Sequence, residues 1–145
     1  MEIKNRKERM NPEQLGSYFM LSEFTYSRVA IEHGLDNTPP PRAVEALRHL
    51  VSKLLDPLRR LYGGPIQVTS GYRCEELNRL VKGVANSQHR LGEAADLYVL
   101  QPKALLDCLL DSSLPFDQAI YYRKRHFLHL SLKQEGNNRR QVLYQ

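Results

Sequence analysis

Cysteine, tryptophan and long apolar runs are scarce or missing in this sequence of 145 residues. The two cysteines, Cys74 and Cys108, lie in unrelated segments without the close spacing of a cysteine zinc site, so we expect two free thiols. No run approaches the roughly 20 apolar residues that cross a bilayer, so we expect no membrane-spanning helix. The charged start lacks the apolar stretch of a signal peptide, which predicts synthesis in the cytoplasm.

Positive charge is in modest excess, with 21 Lys and Arg against 16 Asp and Glu. The basic residues gather at 4–9, 123–125 and 139–140, without interleaved aromatic residues or a recognition-helix motif. This pattern favours a solvated surface over a nucleic-acid interface. A chain of this length usually forms one domain, and we expect a monomer with a polar N-terminal extension at 1–20 and a single domain at 21–145.

The apolar patterns predict an α+β domain in which a small antiparallel sheet packs against helices. Helices are expected at 21–34 with Ser22 as N-cap, at 41–62 with an interruption at Pro57, at 75–82 and at 102–110. Strands are expected at 66–70, 94–100, 116–122 and 127–132, and 83–92 is expected to be a loop. The order does not alternate as βαβα, and the late strands have short connections, which favours antiparallel pairing.

A histidine and an aspartate lie where the glycine-containing loop enters a predicted strand. His89 belongs to the loop, and Asp96 follows inside the strand. Zinc accepts nitrogen and oxygen ligands at about 2.0–2.2 Å, and a catalytic zinc usually has three protein ligands and one open position. The pair therefore predicts two ligands of a site that needs a third.

His129 is the candidate third ligand because it alternates with leucines at 128, 130 and 132 in a predicted strand. Strand side chains point alternately to the two faces, so the leucines would pack in the core and His129 would face the other way. Each of the three residues also has an ordinary alternative, as a loop histidine, a strand-edge carboxylate and a solvent-facing histidine.

The surrounding segments resemble the zinc D-alanyl-D-alanine carboxypeptidase family, whose fold is shared with the Hedgehog signalling domain. The similar segments follow the family's order and include DNTPPP at 36–41, GPIQVTSGYR at 64–73, NSQH at 86–89, GEAAD at 92–96, FDQ at 116–118, LHLS at 128–131 and NRRQV at 138–142. The Ser-x-His-x(6)-Asp element with a downstream strand histidine is the most specific of these. The resemblance implies a Hedgehog/DD-peptidase-like fold and a Zn²⁺ ion bound by His89, Asp96 and His129.

Two substrate-binding residues are also implied by the resemblance. Arg73 would bind an anionic part of the substrate, because a guanidinium is a planar bidentate donor that suits a carboxylate. Its alternative role is a structural salt bridge. Ser87 is similar to a family serine that contacts substrate, and its alternative role is a hydrogen bond within the loop.

The sequence departs from the family at the position of the general base. Similar peptidases carry Asp or Glu three residues before the last histidine ligand, and this chain carries His126 there. Histidine can accept a proton near neutral pH, so His126 is the candidate catalytic residue. Ideal strand alternation would place it opposite His129. Glu93 and Asp117 are weaker candidates, since Glu93 would face away from the metal and Asp117 begins a strand.

The resemblance implies a zinc peptidase that hydrolyses stem peptides of peptidoglycan through a zinc-activated water. It would act as a D,D-carboxypeptidase or as a lysin-type endopeptidase that is released to the cell wall, as in phage. The alternative is a zinc-stabilised binding module of the same fold that has lost hydrolysis, which the change at His126 favours.

Overall fold

A five-stranded sheet lies at the centre of the computed structural model, which describes residues 12–145. The helices are α1 Leu21–Thr25, α2 Arg28–Glu32, α3 Pro41–Leu50, α4 Asp56–Tyr62, α5 Glu75–Leu80 and α6 Pro102–Asp111. The strands are β1 Gln67–Ser70, β2 Ala94–Tyr98, β3 Gln118–Tyr122, β4 Phe127–Ser131 and β5 Gln141–Tyr144. The strand order is β1-β2-β4-β3-β5, and every pair is antiparallel except β3 with β5. The predicted α+β class is confirmed.

One face of the sheet is covered by helices. Leu128 and Leu130 of β4 are fully buried, and they belong to the same apolar core as Leu54, Leu58 and Leu105 from the helical layer. Burying leucines of this size stabilises the fold by about 1.5–3 kcal/mol each, so the register of β4 is strongly specified. The alternate residues of β4, including His129, must therefore lie on the opposite face of the sheet.

The predicted helix at 21–34 is two short helices, α1 and α2. Tyr26 separates them because its backbone is extended, with φ −63° and ψ 132°. Ser22, the predicted N-cap, lies inside α1, whereas Ser27 caps α2 by accepting a hydrogen bond from the backbone N–H of Ala30 at 3.1 Å. The single-helix prediction was wrong because both segments have short apolar patterns that a continuous helix would also satisfy.

The predicted interruption of the long helix at Pro57 is confirmed. Val51–Leu55 forms a π-helical turn between α3 and α4, and the N–H of Asp56 donates to the carbonyl of Val51, five residues back. Pro57 has no N–H for a normal helical bond, and its ring clashes with the preceding turn, which favours a wider turn here. Gly63 ends α4 with a left-handed backbone, φ 77°.

The N-terminal extension that we predicted at 1–20 is partly outside the described residues, which begin at 12. The described part packs against the domain, since Leu15 and Phe19 are buried. The carboxylate of Asp56 accepts hydrogen bonds from the N–H groups of Ser17 at 2.7 Å and Tyr18 at 3.2 Å. The folded domain therefore begins before residue 21.

The sequence also led us to expect unpaired cysteines and no membrane-spanning helix. Cys74 and Cys108 are both free thiols, as predicted. Within residues 12–145, none of the helices has the length and apolar character to cross a bilayer.

Strand β5 was not predicted, and its parallel pairing with β3 departs from the expected all-antiparallel sheet. The chain reaches this position through Arg139, which binds the fully buried carboxylate of Asp117. Nη2 of Arg139 lies 2.6 Å from Oδ2, and its backbone N–H donates to Oδ1 at 2.8 Å. Burial alone would raise the pKa of Asp117, but the bonds from Arg139 outweigh it and hold that pKa below its usual value. The ion pair thus ties β5 to the start of β3.

Replacing Arg139 with Gln should leave the buried carboxylate poorly paired and lower the free energy of unfolding by about 2 kcal/mol at pH 7, since Arg139 is half exposed and part of the attraction is screened. Urea unfolding measures the loss. Asp117 has a lowered pKa, so the pair's contribution is present above about pH 4 and disappears as the pH falls through that lowered value. The difference in the free energy of unfolding between wild type and variant should therefore become smaller as the pH falls. Arg79→Gln, an exposed change on α5, is the matched control, and an equal loss there would contradict the assignment.

Candidate metal centre

Asp96 and His129 face each other across neighbouring strands. The antiparallel register of β2 and β4 pairs Asp96 with His129, and it pairs Leu97 with Leu128 on the core side. Oδ1 of Asp96 lies 2.9 Å from Nδ1 of His129. The predicted outward orientation of His129 therefore follows from the burial of its leucine neighbours.

His89 reaches the same point from a different segment. It lies in a 3₁₀ turn at Gln88–Leu91, within the stretch predicted to be a loop. Nδ1 of His89 is 2.7 Å from the carbonyl oxygen of Gly71, and Nε2 is 3.3 Å from Oδ1 of Asp96. A carbonyl only accepts, so Nδ1 carries the proton and Nε2 keeps its lone pair for a metal, as is usual for metal-binding histidines.

The turn that carries His89 is held by hydrogen bonds around it. Ser87 accepts the N–H of His89 at 3.2 Å, and the N–H of Arg73 donates to the carbonyl of His89 at 3.0 Å. Gly92 ends the turn at φ 77° against the Ala43 carbonyl, where a Cβ would clash. The carboxylate of Glu93 accepts from Nε2 of Gln88 at 3.1 Å and so braces the turn. These bonds fix the imidazole before any metal binds.

The surroundings of His89 and Asp96 favour the charge states that a metal requires. Burial lowers the pKa of His89, which favours the neutral imidazole. Burial would raise the pKa of Asp96, but its interactions with the neighbouring His129 and His89 outweigh burial and hold that pKa well below the usual value. A neutral imidazole and an ionised carboxylate are the forms that bind metal ions.

The donor set fits zinc. The ligand atoms of His89, Asp96 and His129 all lie within 4.8 Å of one another. Ligands about 2.1 Å from one tetrahedral ion are themselves roughly 3.4 Å apart. Oδ1 of Asp96 lies 3.3 Å from Nε2 of His89 and 2.9 Å from Nδ1 of His129. Two nitrogens and one oxygen would leave a fourth position open, as in catalytic zinc sites.

The three residues lie in a cleft of about 960 Å³ whose wall includes Arg73 and Ser87, the two predicted substrate-binding residues. Nη2 of Arg73 is 3.5 Å from Oγ of Ser87, and its buried Nε has no hydrogen-bond partner among the described residues. No carboxylate within residues 12–145 forms an ion pair with Arg73. Arg73 is thus a partly buried cation that has donors to offer an incoming anion.

Asn37 holds the backbone on both sides of Arg73, a role that was not predicted. Its Nδ2 donates to the carbonyl of Tyr72 at 3.1 Å, and its Oδ1 accepts from the N–H of Cys74 at 2.8 Å. The amide has both a donor and an acceptor, so one side chain fixes two backbone groups. Asn37 stands in the DNTPPP segment, but nothing local in the sequence shows which distant backbone it binds.

His126 lies outside the cleft. It occupies the turn between β3 and β4 with a left-handed backbone, φ 62°, and its Nε2 is 2.8 Å from the carbonyl of Leu100. It precedes His129 by three positions, which corresponds to about 10 Å along an extended chain. The described geometry gives no support to the predicted catalytic role of His126, which stays a prediction.

The sequence analysis also did not identify the residues of β3 that face the cleft. Gln118, Ile120 and Tyr122 line the cleft beside β4, because Ile120 pairs with His129 and the three residues alternate along the strand. The alternation with Ala119 and Tyr121 was visible in the sequence. It could have identified these positions once the register with β4 was known.

An α+β domain with two histidines and an aspartate converging at an open cleft has the ligand set of a hydrolytic zinc protein. A family model described as Peptidase M15 matches residues 17–131. The chain therefore belongs to the peptidase M15 family, a family of zinc metallopeptidases, and the resemblance noted from the sequence is confirmed. A search of curated proteins found no match to the chain.

Zinc binding tests the three ligands directly. Replacing His89, Asp96 or His129 with Ala should each lower the affinity for Zn²⁺ by more than about 100-fold, beyond the 10–100-fold that outer-shell partners contribute. Equilibrium dialysis followed by elemental analysis measures the bound metal. His126→Ala and His33→Ala remove histidines outside the group and should keep one ion per chain. Full zinc binding by any of the three ligand variants would contradict the site.

Proposed function

We propose that this chain is a zinc-dependent peptidase that hydrolyses peptides carrying a free carboxylate, namely the stem peptides of peptidoglycan. The observation that supports this most is the presence of Arg73, without a carboxylate partner in the described chain, in the same cleft as the three ligand side chains. A metal site alone would fit many hydrolases. The neighbouring guanidinium adds a preference for an anionic peptide.

Each of the chain's own groups has a distinct task in this proposal. A bound zinc ion would lower the pKa of a coordinated water to about 7 and polarise a peptide carbonyl. Arg73 would bind the substrate carboxylate and set the position of the scissile bond in the cleft. Ser87 would orient Arg73 and the His89 backbone through its hydroxyl group.

The proposal does not assign the residue that accepts the proton of the attacking water. Among the described residues that line the cleft, Asp96 is the one carboxylate, and it belongs to the metal group. Glu93 and Asp117 are not among the residues that line the cleft, and they are bound to Gln88 and Arg139 respectively. His126 would have to release Leu100 and swing into the cleft to take part. The same observation favours the second candidate function, a binding module that keeps the metal and the cleft.

Purified protein with Zn²⁺ should cleave synthetic stem peptides, and mass spectrometry of the products identifies the bond. Release of the terminal residue would indicate a carboxypeptidase, and an internal cut would indicate an endopeptidase. Asp96→Ala should abolish product formation because the ligand set is broken. Zinc-dependent binding of the peptides without any product would instead identify a binding module.

The same peptide-cleavage assay tests whether His126 acts as a general base. A general base contributes typically 10²- to 10⁴-fold to the rate, so His126→Ala would lower kcat by that factor if it acted as one. The geometry leads us to expect a change within about threefold, far below the loss of a general base. A larger loss in kcat with unchanged zinc binding would restore His126 as the catalytic residue.

Arg73→Gln should raise KM and lower kcat/KM by about 100-fold for peptides with a free carboxylate, as expected when one partner of a buried charged hydrogen bond is lost. Peptides whose carboxylate is amidated should lose much less. Arg79→Gln on α5 is the control, because it removes an exposed Arg that lies outside the cleft. Equal losses for the free and amidated peptides would show that Arg73 is structural.

A further inference from the structure

Two aromatic rings form a flat surface in the cleft beside the metal group. Tyr122 of β3 pairs with Phe127 of β4, and their rings stack with centroids 4.5 Å apart and an interplanar angle of 14°. Both residues line the cleft. Phe127 is two residues from His129 and faces the same side, so the rings begin about 7 Å from the ligand along the strand. We call this pair the aromatic shelf.

Arg125 lies over the aromatic shelf. Its guanidinium carbon is 5.2 Å from the ring centre of Phe127 and 5.9 Å from that of Tyr122, within the range of cation–π attraction. Arg125 also lines the cleft, and it forms no ion pair with any carboxylate in the described part of the chain. A stacked guanidinium uses its face for the rings and keeps its N–H edge for an anion.

Two hydrogen bonds from His126 hold the turn that carries Arg125. The N–H of His126 donates to the carbonyl of Tyr122 at 2.8 Å, and Nε2 of His126 donates to the carbonyl of Leu100, also at 2.8 Å. His126 therefore has a positioning role in this turn, next to the residue that reaches the cleft. Because the backbone is fixed, less conformational entropy is lost when Arg125 binds a ligand.

The backbones of Arg125 and Arg73 lie on opposite sides of the metal group along the strands. Strand β1 ends at Ser70, which pairs with Asp96, and the chain continues past that row to Arg73. Phe127 lies on the other side of the row, two residues before His129, and Arg125 lies two residues further. An extended peptide that crosses the metal group can therefore meet one guanidinium on each side.

The charge of the cleft favours an anionic peptide on both sides. The cationic side chains that line it are Arg28, Arg73, Lys82, Arg125 and Arg139. Arg28 pairs with Glu32 and Arg139 with Asp117, while Asp96 is the carboxylate of the metal group. The remaining positive charge is uncompensated within the described cleft, which raises the local concentration of anions.

We propose that Arg125, supported by the aromatic shelf, binds a second carboxylate of the substrate, on the opposite side of the scissile bond from the carboxylate at Arg73. This deepens the proposed function and rests on it for the direction of the peptide. The substrate class is thus a peptide with a free carboxylate in its acyl portion as well as one beyond the cleaved bond. Arg125 is a specificity-determining residue, and it selects the acid over the corresponding amide.

Two synthetic stem peptides test the proposal. They are identical except that a γ-linked D-glutamate in the acyl portion carries either a free α-carboxylate or its amide. Wild type should prefer the acid about tenfold in kcat/KM, the size expected of one charge-assisted hydrogen bond. Arg125→Gln should bring that preference close to one, and Arg125→Lys should keep part of it, because the charge remains without the planar fork.

Lys124→Gln is the matched control, because it removes a neighbouring positive charge from the same turn at a residue outside the cleft lining. Its acid preference should equal that of wild type. An equal loss of preference in Lys124→Gln and Arg125→Gln would mean a general charge effect and would overturn the proposal. A loss of stability in Arg125→Gln with an unchanged acid preference would also overturn it, since Arg125 would then only brace the turn.

Calorimetric titration of both peptides into the zinc-free protein separates this proposal from the proposed function. An acid preference in binding that disappears in Arg125→Gln supports the second carboxylate site even if no peptide is cleaved. Cleavage of both peptides with equal kcat/KM, together with equal binding, would leave the peptidase function standing and overturn the role of Arg125.

Discussion

The antiparallel pairing of β2 with β4 places Asp96 opposite His129, and the other parts of the site are arranged around that pair. The register is set from the far side of the sheet, where Leu97 and Leu128 are fully buried. A slip of one residue would expose these leucines and turn Asp96 and His129 into the core. The energy that defines the metal group is therefore mostly hydrophobic, although the group itself is polar. His89 then joins from its own turn, oriented by the carbonyl of Gly71.

The grouping of His89, Asp96 and His129 was predicted by joining local patterns to the family resemblance. A strand histidine between leucines and a His–Asp spacing across a loop supplied the candidates, and the resemblance implied that they act together. The features that were missed depend on contacts between distant segments. Asn37 binds the backbone around Arg73, and β5 is placed by the pairing of Arg139 with Asp117, 22 residues away. The π-helical turn before Pro57 was predicted only in part: the proline indicated an interruption of the helix, but nothing in the sequence indicated a π-helical turn.

The acidic residues are divided between the interior and the cleft in a way that bears on function. Asp56 binds the N-terminal backbone, Asp117 holds Arg139, and Glu93 braces the turn of His89. These carboxylates are buried or partly buried, and they accept hydrogen bonds from nearby N–H groups and from the half-exposed Arg139, which stabilises the fold. With them engaged, the carboxylate that lines the described cleft is that of Asp96, beside a surplus of guanidinium groups. The same residues that stabilise the fold thus leave the cleft suited to anions.

His126, which stands where the family resemblance implies an acid, also affects this distribution of charge. The family resemblance implies an acid three residues before His129, and an acid at that position of this chain would lie in the β3–β4 turn, beside Arg125. A carboxylate there could pair with that guanidinium and neutralise it. Histidine instead uses Nε2 to bind Leu100 and leaves the guanidinium over the aromatic rings. The left-handed backbone at His126 costs of order 1 kcal/mol or more, and it persists here with hydrogen bonds to Tyr122 and Leu100. A histidine at this position thus leaves the Arg125 guanidinium without a carboxylate partner among the described residues, so one residue bears both on the proposed base and on the proposed second carboxylate site.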